Sequence, residues 1–306
     1  MPRAKFFATH VMNDIKELIR ETVQKVEARL DSLLPAEDIP PVTIHKAMRY
    51  SVFAGGKRIR PLLCLEAARA CGGSEEAALN AACALEVLHT YTLIHDDLPC
   101  MDNDDLRRGR PTNHKVFGEG VAVLAGDALL TEAFAMLARV PENERYGVQD
   151  YVAELAYRTG SLHLVGGQVL DLEGEGRALS LEELRAIHNG KTAALIIAAV
   201  RLGGMAAGCT AEQLEALTEY GRGLGLAFQI IDDILDITSS PEVLGKSIGK
   251  DARVQKATYP AVVGMEQARE EARALTASAR AALDVFSAKR RENLLAINDY
   301  LLKRDY

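Results

Sequence analysis

The stretch LIHDDLPCMDNDDLRRG, residues 93–109, places five aspartates ahead of two arginines between apolar flanks. A second acidic run, QIIDDILD at residues 229–236, follows much later in the chain. Carboxylates this close together repel one another, and burial beside leucine and isoleucine raises their pKa unless positive charge lies among them. The two stretches therefore predict a site that holds cations.

Apolar residues at helical spacing dominate the chain around these two runs. The pattern covers residues 11–34, 79–98, 121–138, 152–164, 181–205 and 211–237. Alternating β-branched segments are hard to find, which predicts an all-α fold. Ser180 with Glu183, and Thr210 with Gln213, have the spacing of capping boxes at two helix starts. No shift of composition marks a linker, so we expect a single domain over residues 1–306.

The first acidic run requires a break in its helix. Asp102 lies six residues beyond Asp96 and would point away from it on a regular helix. Pro99 removes a backbone donor and should end or kink the helix, so we expect Asp102 to return toward Asp96. Oxygen ligands of this kind favour Mg²⁺, which bridges carboxylates to substrate phosphates. The glycine and glutamate positions of a calcium-binding EF-hand loop are missing after Asp102.

The second acidic run lies along one stripe of a predicted helix. Gln229, Asp233 and Asp236 follow i, i+4, i+7 spacing, and Asp232 stands four residues before Asp236. Basic segments suited to phosphate groups accompany both runs, since arginine makes bidentate contacts and lysine acts as a point charge. These segments are Gly55 to Pro61, Arg107-Arg108, Gly190-Lys191-Thr192 and Gly245-Lys246-Ser247.

Composition limits the class of protein. The chain has 306 residues, 48% of them hydrophobic, and a formal net charge of −7. That charge argues against a nucleic-acid partner, because phosphate binding needs clustered basic residues. The five cysteines include no C-x-x-C pair, so they fit neither a disulfide framework nor a zinc ribbon, and we expect reduced thiols. With no signal peptide and no run of ~18 apolar residues, we expect a cytoplasmic protein without an integral membrane segment.

These motifs resemble those of the trans-isoprenyl diphosphate synthases, also called polyprenyl synthetases. The first aspartate-rich motif is Asp96-Asp97-x-x-x-x-Asp102 with Arg107-Arg108 behind it, and the second is Asp232-Asp233-x-x-Asp236. Further matches are Gly56-Lys57-x-x-Arg60-Pro61, Gly126-Asp127, Gly190-Lys191-Thr192, Phe228-Gln229 and Gly249-Lys250-Asp251. The resemblance covers roughly residues 47–261, in the family's order.

The resemblance implies a fold of packed antiparallel helices around a deep central cavity, and a homodimer. It also implies Mg²⁺-dependent condensation of isopentenyl diphosphate with an allylic diphosphate such as dimethylallyl or geranyl diphosphate. The allylic carbon–oxygen bond ionises, isopentenyl diphosphate attacks the resulting cation, and loss of a proton leaves a chain longer by an isoprene unit.

The family's ligand residues carry over by position. Isopentenyl diphosphate would be held by Lys57, Arg60, His89 and Arg108. The allylic diphosphate would be held by Arg107, Lys191, Thr192, Gln229 and Lys246. Of these, Lys191, Thr192 and Gln229 are the catalytic candidates, with Thr192 and Gln229 near the cation. The Mg²⁺ ligands would be Asp96, Asp97, Asp102, Asp232, Asp233 and Asp236.

Residues beneath the first motif are expected to set the product length. Tyr91 lies five residues before Asp96, ~7.5 Å down the helix axis, and Thr92 follows it. A bulky aromatic at Tyr91 resembles bacterial farnesyl diphosphate synthases, so we expect farnesyl diphosphate as the product. Residues 97–105 and 113–119 resemble the geranylgeranyl diphosphate synthases of plants and cyanobacteria, which provide the alternative.

Two other classes of protein remain open. A terpene cyclase shares the first motif and a helical cavity, but it lacks a second Asp-Asp-x-x-Asp and the isopentenyl diphosphate residues. A catalytically silent partner subunit of a heteromeric synthase typically loses one aspartate motif. This chain keeps both motifs, with Lys57, Arg60 and Asp232 intact, which favours an active synthase.

Overall fold

The structure, a computed structural model, describes residues 2–238 and 257–302. Most of these residues are helical and only one short hairpin is present among them, which confirms the all-α prediction. The helices are α1 (Pro2–Leu33), α2 (Val42–Val52), α3 (Ile59–Ala70), α4 (Glu75–Asp96), α5 (Asn113–Phe117), α6 (Glu119–Leu137), α7 (Val148–Thr159), α8 (Leu164–Gly174), α9 (Leu181–His188), α10 (Ala194–Ala206), α11 (Ala211–Thr238), α12 (Tyr259–Val263), α13 (Met265–Ala282) and α14 (Ala288–Leu302). A π-helical turn (Asn189–Ala193) joins α9 to α10, and a 3₁₀ turn (Leu283–Val285) follows α13.

Both predicted capping boxes form. Glu183 Oε2 accepts the Ser180 N–H at 2.8 Å, and Ser180 Oγ accepts the Glu183 N–H at 3.2 Å. Gln213 and Thr210 make the same reciprocal pair at 2.9 and 3.2 Å. Each pair satisfies backbone donors that a helix start leaves without an intrahelical acceptor. The starts of α9 and α11 are therefore fixed by local sequence.

Helix α7 differs from the prediction of a helix over residues 152–164. It begins earlier, because Asp150 Oδ2 accepts the Gly147 N–H at 2.8 Å and caps the new start. It also ends earlier, because Gly160 adopts an extended backbone conformation with φ −75° and ψ −169°. The apolar spacing beyond Gly160 belongs instead to α8.

The core forms around α4, whose residues from Ala78 to Val87 and beyond are buried against α1, α3, α6 and α10. Helices α3 and α10 come together closely at Gly203, where an added Cβ would lie 2.0 Å from the carbonyl oxygen of Cys64. A second buried cluster joins the end of α11 to α9, α12 and α13 through Leu184, Ile231, Ile234 and Tyr259 among others. The two acidic motifs therefore lie at the C-terminal ends of two well-packed helices, α4 and α11.

Two helices are long and apolar enough, by length and composition, to cross a bilayer. They are α4 and α6, and 67% and 39% of their most apolar windows are buried inside the protein. Core helices of soluble proteins pass the same test, so this is weak support for a membrane span. The expectations of a cytoplasmic protein and of no integral membrane segment stay predictions.

Candidate active site

The first aspartate motif turns back on itself directly after α4. The backbone N–H of Asp102 donates to the carbonyl oxygen of Asp96 at 2.8 Å, and the N–H of Asp104 donates to that of Asp97 at 3.1 Å. Asn103 takes the left-handed conformation, with φ +50°, which tightens the turn. Asp102 thus returns to Asp96, as the position of Pro99 predicts.

The first two aspartates of this motif have different surroundings. Burial raises the pKa of Asp96 to about 6; Lys191 opposes this rise, and Asp102 adds to it. Asp97 is 3% exposed, and its Oδ1 accepts from Arg107 Nε at 3.0 Å. Asp97 is therefore neutralised by a protein cation, whereas Asp96 carries a charge that a bound cation would stabilise.

A short hairpin separates the two neighbouring arginines. Strands β1 (Leu106–Arg107) and β2 (Arg110–Pro111) pair antiparallel, and Arg108 and Gly109 form the turn with φ +54° and +74°. Positive φ at both central residues is the geometry that fits a two-residue hairpin turn. Because of this turn, consecutive arginine side chains leave the hairpin in different directions.

The two arginines contact different parts of the predicted site. Arg107 goes to Asp97 in the first aspartate motif, and Arg108 Nη1 donates to the carbonyl oxygen of Gly55. Gly56 has φ +127°, a conformation that side chains rarely adopt, and an added Cβ there would also push on the Arg108 guanidinium, 2.7 Å away. Arg108 therefore joins Lys57, which follows Gly56 in the loop before α3, and Arg60, which lies in the first turn of α3.

Positive charge accumulates at this loop. Burial lowers the pKa of Arg60 to about 10. The negative charge of Glu86 opposes this shift, and the positive charge of Arg108 adds to it. The pKa of His89 falls well below its usual value, first through desolvation and then through Arg60 and Arg108. Among the described residues, Arg60 Nε has no hydrogen-bond partner. The group that sequence reasoning assigned to isopentenyl diphosphate is thus assembled, and its excess charge fits a diphosphate.

In the second motif the middle aspartate is a structural link. Asp233 is 6% exposed; its Oδ2 accepts the backbone N–H of Tyr259 at 2.7 Å, and its Oδ1 accepts from Gln229 Nε2 at 3.0 Å. Asp232 is half-buried and Asp236 is exposed. Asp233 therefore joins α11 to the start of α12, and its assignment as a metal ligand stays a prediction.

The π-helical turn connects the two motifs. Lys191 Nζ forms a salt bridge with Asp171 Oδ2 at 2.6 Å and lies close enough to Asp96 to lower its pKa. The neighbouring Thr192 hydroxyl donates to Gln229 Oε1 at 2.8 Å. The catalytic candidates of the sequence analysis are thus brought together, and they form a continuous path from α4 to α11.

Close backbone contacts hold this turn in place. An added Cβ at Gly167 on α8 would lie 2.3 Å from the backbone nitrogen of Lys191. One at Gly225 on α11 would lie 2.6 Å from Ala193 Cα. The turn is clamped between the two helices. Sequence reasoning missed Asp171, the partner of Lys191, although it lies four residues after Gly167, one helical turn further along α8.

The two residues expected to set the product length, Tyr91 and Thr92, lie on different faces of α4. The Tyr91 ring meets the His95 ring edge-on, with 5.1 Å between centroids, and His95 Nε2 lies 3.0 Å from the carbonyl oxygen of Val123 on α6. Tyr91 thus lies on the side of α4 that faces α6. Thr92, four residues before Asp96, shares the face of that aspartate.

Metal binding is supported by the chemistry of the donors. Among the described residues, no group of three or more His, Cys, Asp or Glu side chains lies close enough together to form a metal site. The charge on Asp96, next to Asp102, nevertheless fits a hard divalent cation. Lys246, predicted to hold the allylic diphosphate, lies outside the described residues.

Known proteins share this sequence and fold. The sequence profile of the family described as polyprenyl synthetase matches residues 41–289. The chain is 48% identical over 297 residues to a chloroplastic geranylgeranyl pyrophosphate synthase of Capsicum annuum, an alignment covering 95% of this chain and 79% of that protein.

Two solved structures superpose on most of the chain. An FPP/GFPP synthase of Zymomonas mobilis has a TM-score of 0.84 at 35% identity and covers 94% of this chain and 99% of its own. A geranylgeranyl pyrophosphate synthetase of Pyrococcus horikoshii has a TM-score of 0.87 at 30% identity and covers 96% and 99%. The chain belongs to the polyprenyl synthetase family and is a prenyltransferase that condenses isopentenyl diphosphate with allylic diphosphates.

Proposed function

We propose that this prenyltransferase makes geranylgeranyl diphosphate and uses Mg²⁺. The placement of Tyr91 carries the proposal: its ring packs on His95 toward α6, whereas the farnesyl expectation requires that ring to close the cavity below Asp96. The names of the Capsicum annuum and Pyrococcus horikoshii relatives point to the same product. The Zymomonas mobilis relative is named for farnesyl and geranylfarnesyl products, so the fold itself permits several lengths.

The cationic loop binds and positions isopentenyl diphosphate. Arg60 and Arg108 offer planar donor groups that match phosphate oxygens, and the exposed Lys57 adds a point charge. The lowered pKa of His89 keeps its ring neutral at neutral pH, so it serves as a hydrogen-bond donor. Holding the nucleophile in this way replaces an encounter in solution with a prearranged geometry.

The connecting turn and α11 hold the allylic substrate. Lys191 reaches the diphosphate, while the oxygens of Thr192 and Gln229, already oriented by their hydrogen bond, present partial negative charge to the allylic cation. Mg²⁺ held by Asp96, Asp102 and Asp232 would supply the positive charge that draws electrons from the breaking carbon–oxygen bond. Arg107 holds Asp97 and thereby steadies the loop that carries these ligands.

Product analysis tests the proposal. The purified protein is incubated with Mg²⁺, isopentenyl diphosphate and dimethylallyl, geranyl or farnesyl diphosphate, and the dephosphorylated products are identified. Geranylgeraniol from each primer is expected. Farnesol as the end product would restore the sequence-based preference, and no elongation from any primer would point to the silent partner subunit.

We also propose that the enzyme is a homodimer. Consecutive helices α6 to α8 and the α7–α8 connection expose large apolar side chains, including Leu124 (58% exposed), Tyr157 (52%), Leu162 (79%) and Val169 (48%). Apolar side chains grouped on one region favour contact with a second copy. Light scattering should give a dimer mass, and Leu162→Glu should lower it. Ile39→Glu, an equally non-conservative change at an exposed residue elsewhere, should leave the mass unchanged.

A further inference from the structure

Two cysteines far apart in the sequence meet at the surface of the core. Cys71 follows α3, and Cys209 lies between α10 and α11. An added Cβ at Gly204 would lie 3.6 Å from Cys71 Sγ and 3.2 Å from Cys209 Sγ, so both sulfur atoms face the same glycine. The two thiols are close enough for each to shift the pKa of the other.

The backbone around the pair is closely packed. An added Cβ at Gly73 would lie 2.5 Å from Ala207 Cβ, which brings the segments after α3 and after α10 into contact. Arg145 Nη1 donates to the carbonyl oxygen of Gly208 at 2.8 Å, and Asn143 Nδ2 donates to that of Met205 at 2.9 Å. These bonds hold the loop that carries Cys209 against residues 143–145, and the contact between Gly73 and Ala207 places the same loop beside the end of α3.

The pKa values of the two thiols are shifted in opposite directions. The neighbouring Cys71 thiol lowers the pKa of Cys209 to about 7, with help from the hydroxyl of Tyr146, 3.7 Å from Sγ, and from Arg201. The nearby Cys209 sulfur, together with burial, raises the pKa of Cys71. At neutral pH, Cys209 is therefore partly a thiolate, and Cys71 is a thiol with a proton to give.

A second cysteine pair provides an internal contrast. Cys64 and Cys83 are both fully buried, and their thiols donate to the carbonyl oxygens of Ala78 and Val26, each at 3.9 Å. Burial raises the pKa of Cys83 to about 12 and also raises that of Cys64. Two protonated thiols without access to solvent are inert. In the other pair Cys209 is 1% exposed but its neighbour Cys71 is partly exposed, so a small oxidant reaches Cys209 from the side of Cys71.

We propose that Cys71 and Cys209 form a reversible dithiol site that is oxidised by hydrogen peroxide. The Cys209 thiolate attacks peroxide; an S–O bond forms, the O–O bond breaks, and the leaving hydroxide takes a proton to become water. The Cys71 sulfur, on losing its proton, then attacks the sulfenic acid sulfur; an S–S bond forms and the S–O bond breaks. A second water leaves, so two thiols and one peroxide give one disulfide and two waters.

The disulfide would join two parts of the core. It ties the end of α3, whose first turn carries Arg60, to the loop that begins α11. A cross-link between residues this far apart in sequence restricts the unfolded chain, so the oxidised protein should unfold at a higher temperature than the reduced protein. The site is independent of the proposed product of the enzyme.

Peptide mapping under non-reducing conditions tests the site. The folded protein is treated with hydrogen peroxide, remaining thiols are alkylated after unfolding, and the peptides are compared with and without dithiothreitol. The expected result is a linked peptide of Cys71 and Cys209 that disappears on reduction, while Cys64 and Cys83 are recovered alkylated. In Cys71→Ser, Cys209 should stop at the sulfenic acid and be trapped by dimedone.

Two results would overturn the proposal. One is recovery of Cys71 and Cys209 as alkylated thiols under conditions that oxidise the exposed Cys100. The other is a linked peptide of Cys64 and Cys83 at equal yield, since that outcome would reflect unfolding and not a prearranged site. Circular dichroism of Cys71→Ser and Cys209→Ser before treatment keeps a folding defect distinct from a loss of reactivity.

Discussion

Arg58 and Glu86 form a salt bridge inside the protein, with 2.5 Å between Arg58 Nη1 and Glu86 Oε1. The Arg58 side chain is fully buried and that of Glu86 is 2% exposed. Arg58 also donates to the carbonyl oxygen of Val52 at 2.7 Å and takes a left-handed backbone conformation with φ +50°. These contacts fix the backbone where the loop that carries Lys57 enters α3, whose first turn carries Arg60. The predicted diphosphate-binding cations therefore depend on a residue beneath them.

Glu86→Gln should destabilise the protein by about 3–5 kcal/mol, because it leaves the buried Arg58 without its principal counter-charge. Urea unfolding measures the change. The double variant Arg58→Gln, Glu86→Gln should recover part of the loss, since no uncompensated charge remains. Glu76→Gln removes an exposed carboxylate from the same helix and should cost less than about 1 kcal/mol. Equal costs at Glu86 and Glu76 would contradict this role.

Asp233→Ala should lower stability by about 1–3 kcal/mol, because the Tyr259 N–H and the Gln229 amide lose their acceptor. Asp232→Ala should leave stability nearly unchanged and abolish turnover. Thermal unfolding and steady-state kinetics on both variants separate the two effects. The assignment is wrong if Asp232→Ala is the more destabilising change.

Thr92→Phe should shorten the product toward farnesyl diphosphate, because it places bulk one helical turn below Asp96 on the same face. Tyr91→Ala should leave geranylgeranyl diphosphate as the main product, since the Tyr91 ring packs toward α6. Chromatography of the dephosphorylated products gives the chain lengths. A longer product from Tyr91→Ala would show that the ring closes the cavity after all.

Gly203→Ala should cost about 1–3 kcal/mol or more, because its Cβ would lie 2.0 Å from the backbone oxygen of Cys64 and one helix would have to shift. Gly120→Ala offers the matched control, since an added Cβ there meets nothing within 4 Å. That change should be neutral or stabilise α6 by up to about 1 kcal/mol. Denaturation midpoints of the two variants provide the comparison.

The rate of peroxide oxidation at Cys209 should depend on pH. Below the pKa of about 7, the thiolate fraction rises about tenfold for each pH unit, and above it the rate should level off. An ordinary thiol would continue to accelerate to about pH 8.5. Stopped-time alkylation over about 3.5 pH units, from roughly pH 5.5 to 9, distinguishes the two profiles.

Local sequence was sufficient for part of this site. Pro99 predicts the return of Asp102, and the positions of Ser180 and Thr210 predict two helix starts, because each effect acts within a few residues. The segment Gly190-Lys191-Thr192 likewise predicts the catalytic candidates Lys191 and Thr192. These features do not depend on which helices pack together.

Tertiary packing decides the rest. In sequence, Asp97 and Asp233 look like the aspartates next to them. In the structure both are buried, Asp97 in contact with Arg107 and Asp233 in contact with the Tyr259 N–H. The contact between Cys71 and Cys209 likewise has no local signal, since it arises where α3 and α10 end side by side. The direction of the Tyr91 ring depends on α6, so the residue type alone does not tell where the ring lies.

The π-helical turn at Asn189–Ala193 makes the site sensitive to chain length. Such a turn contains one residue more than an α-helical turn, so deletion of Gly190 would let α9 and α10 merge into a regular helix. The merged helix would rotate α9 by about 100° relative to α10 and carry His188 away from Asp233, whose Oδ2 lies 3.6 Å from His188 Nε2. A deletion too small to affect the core would therefore break a contact with the second aspartate motif, so the length of this segment matters as well as its residues.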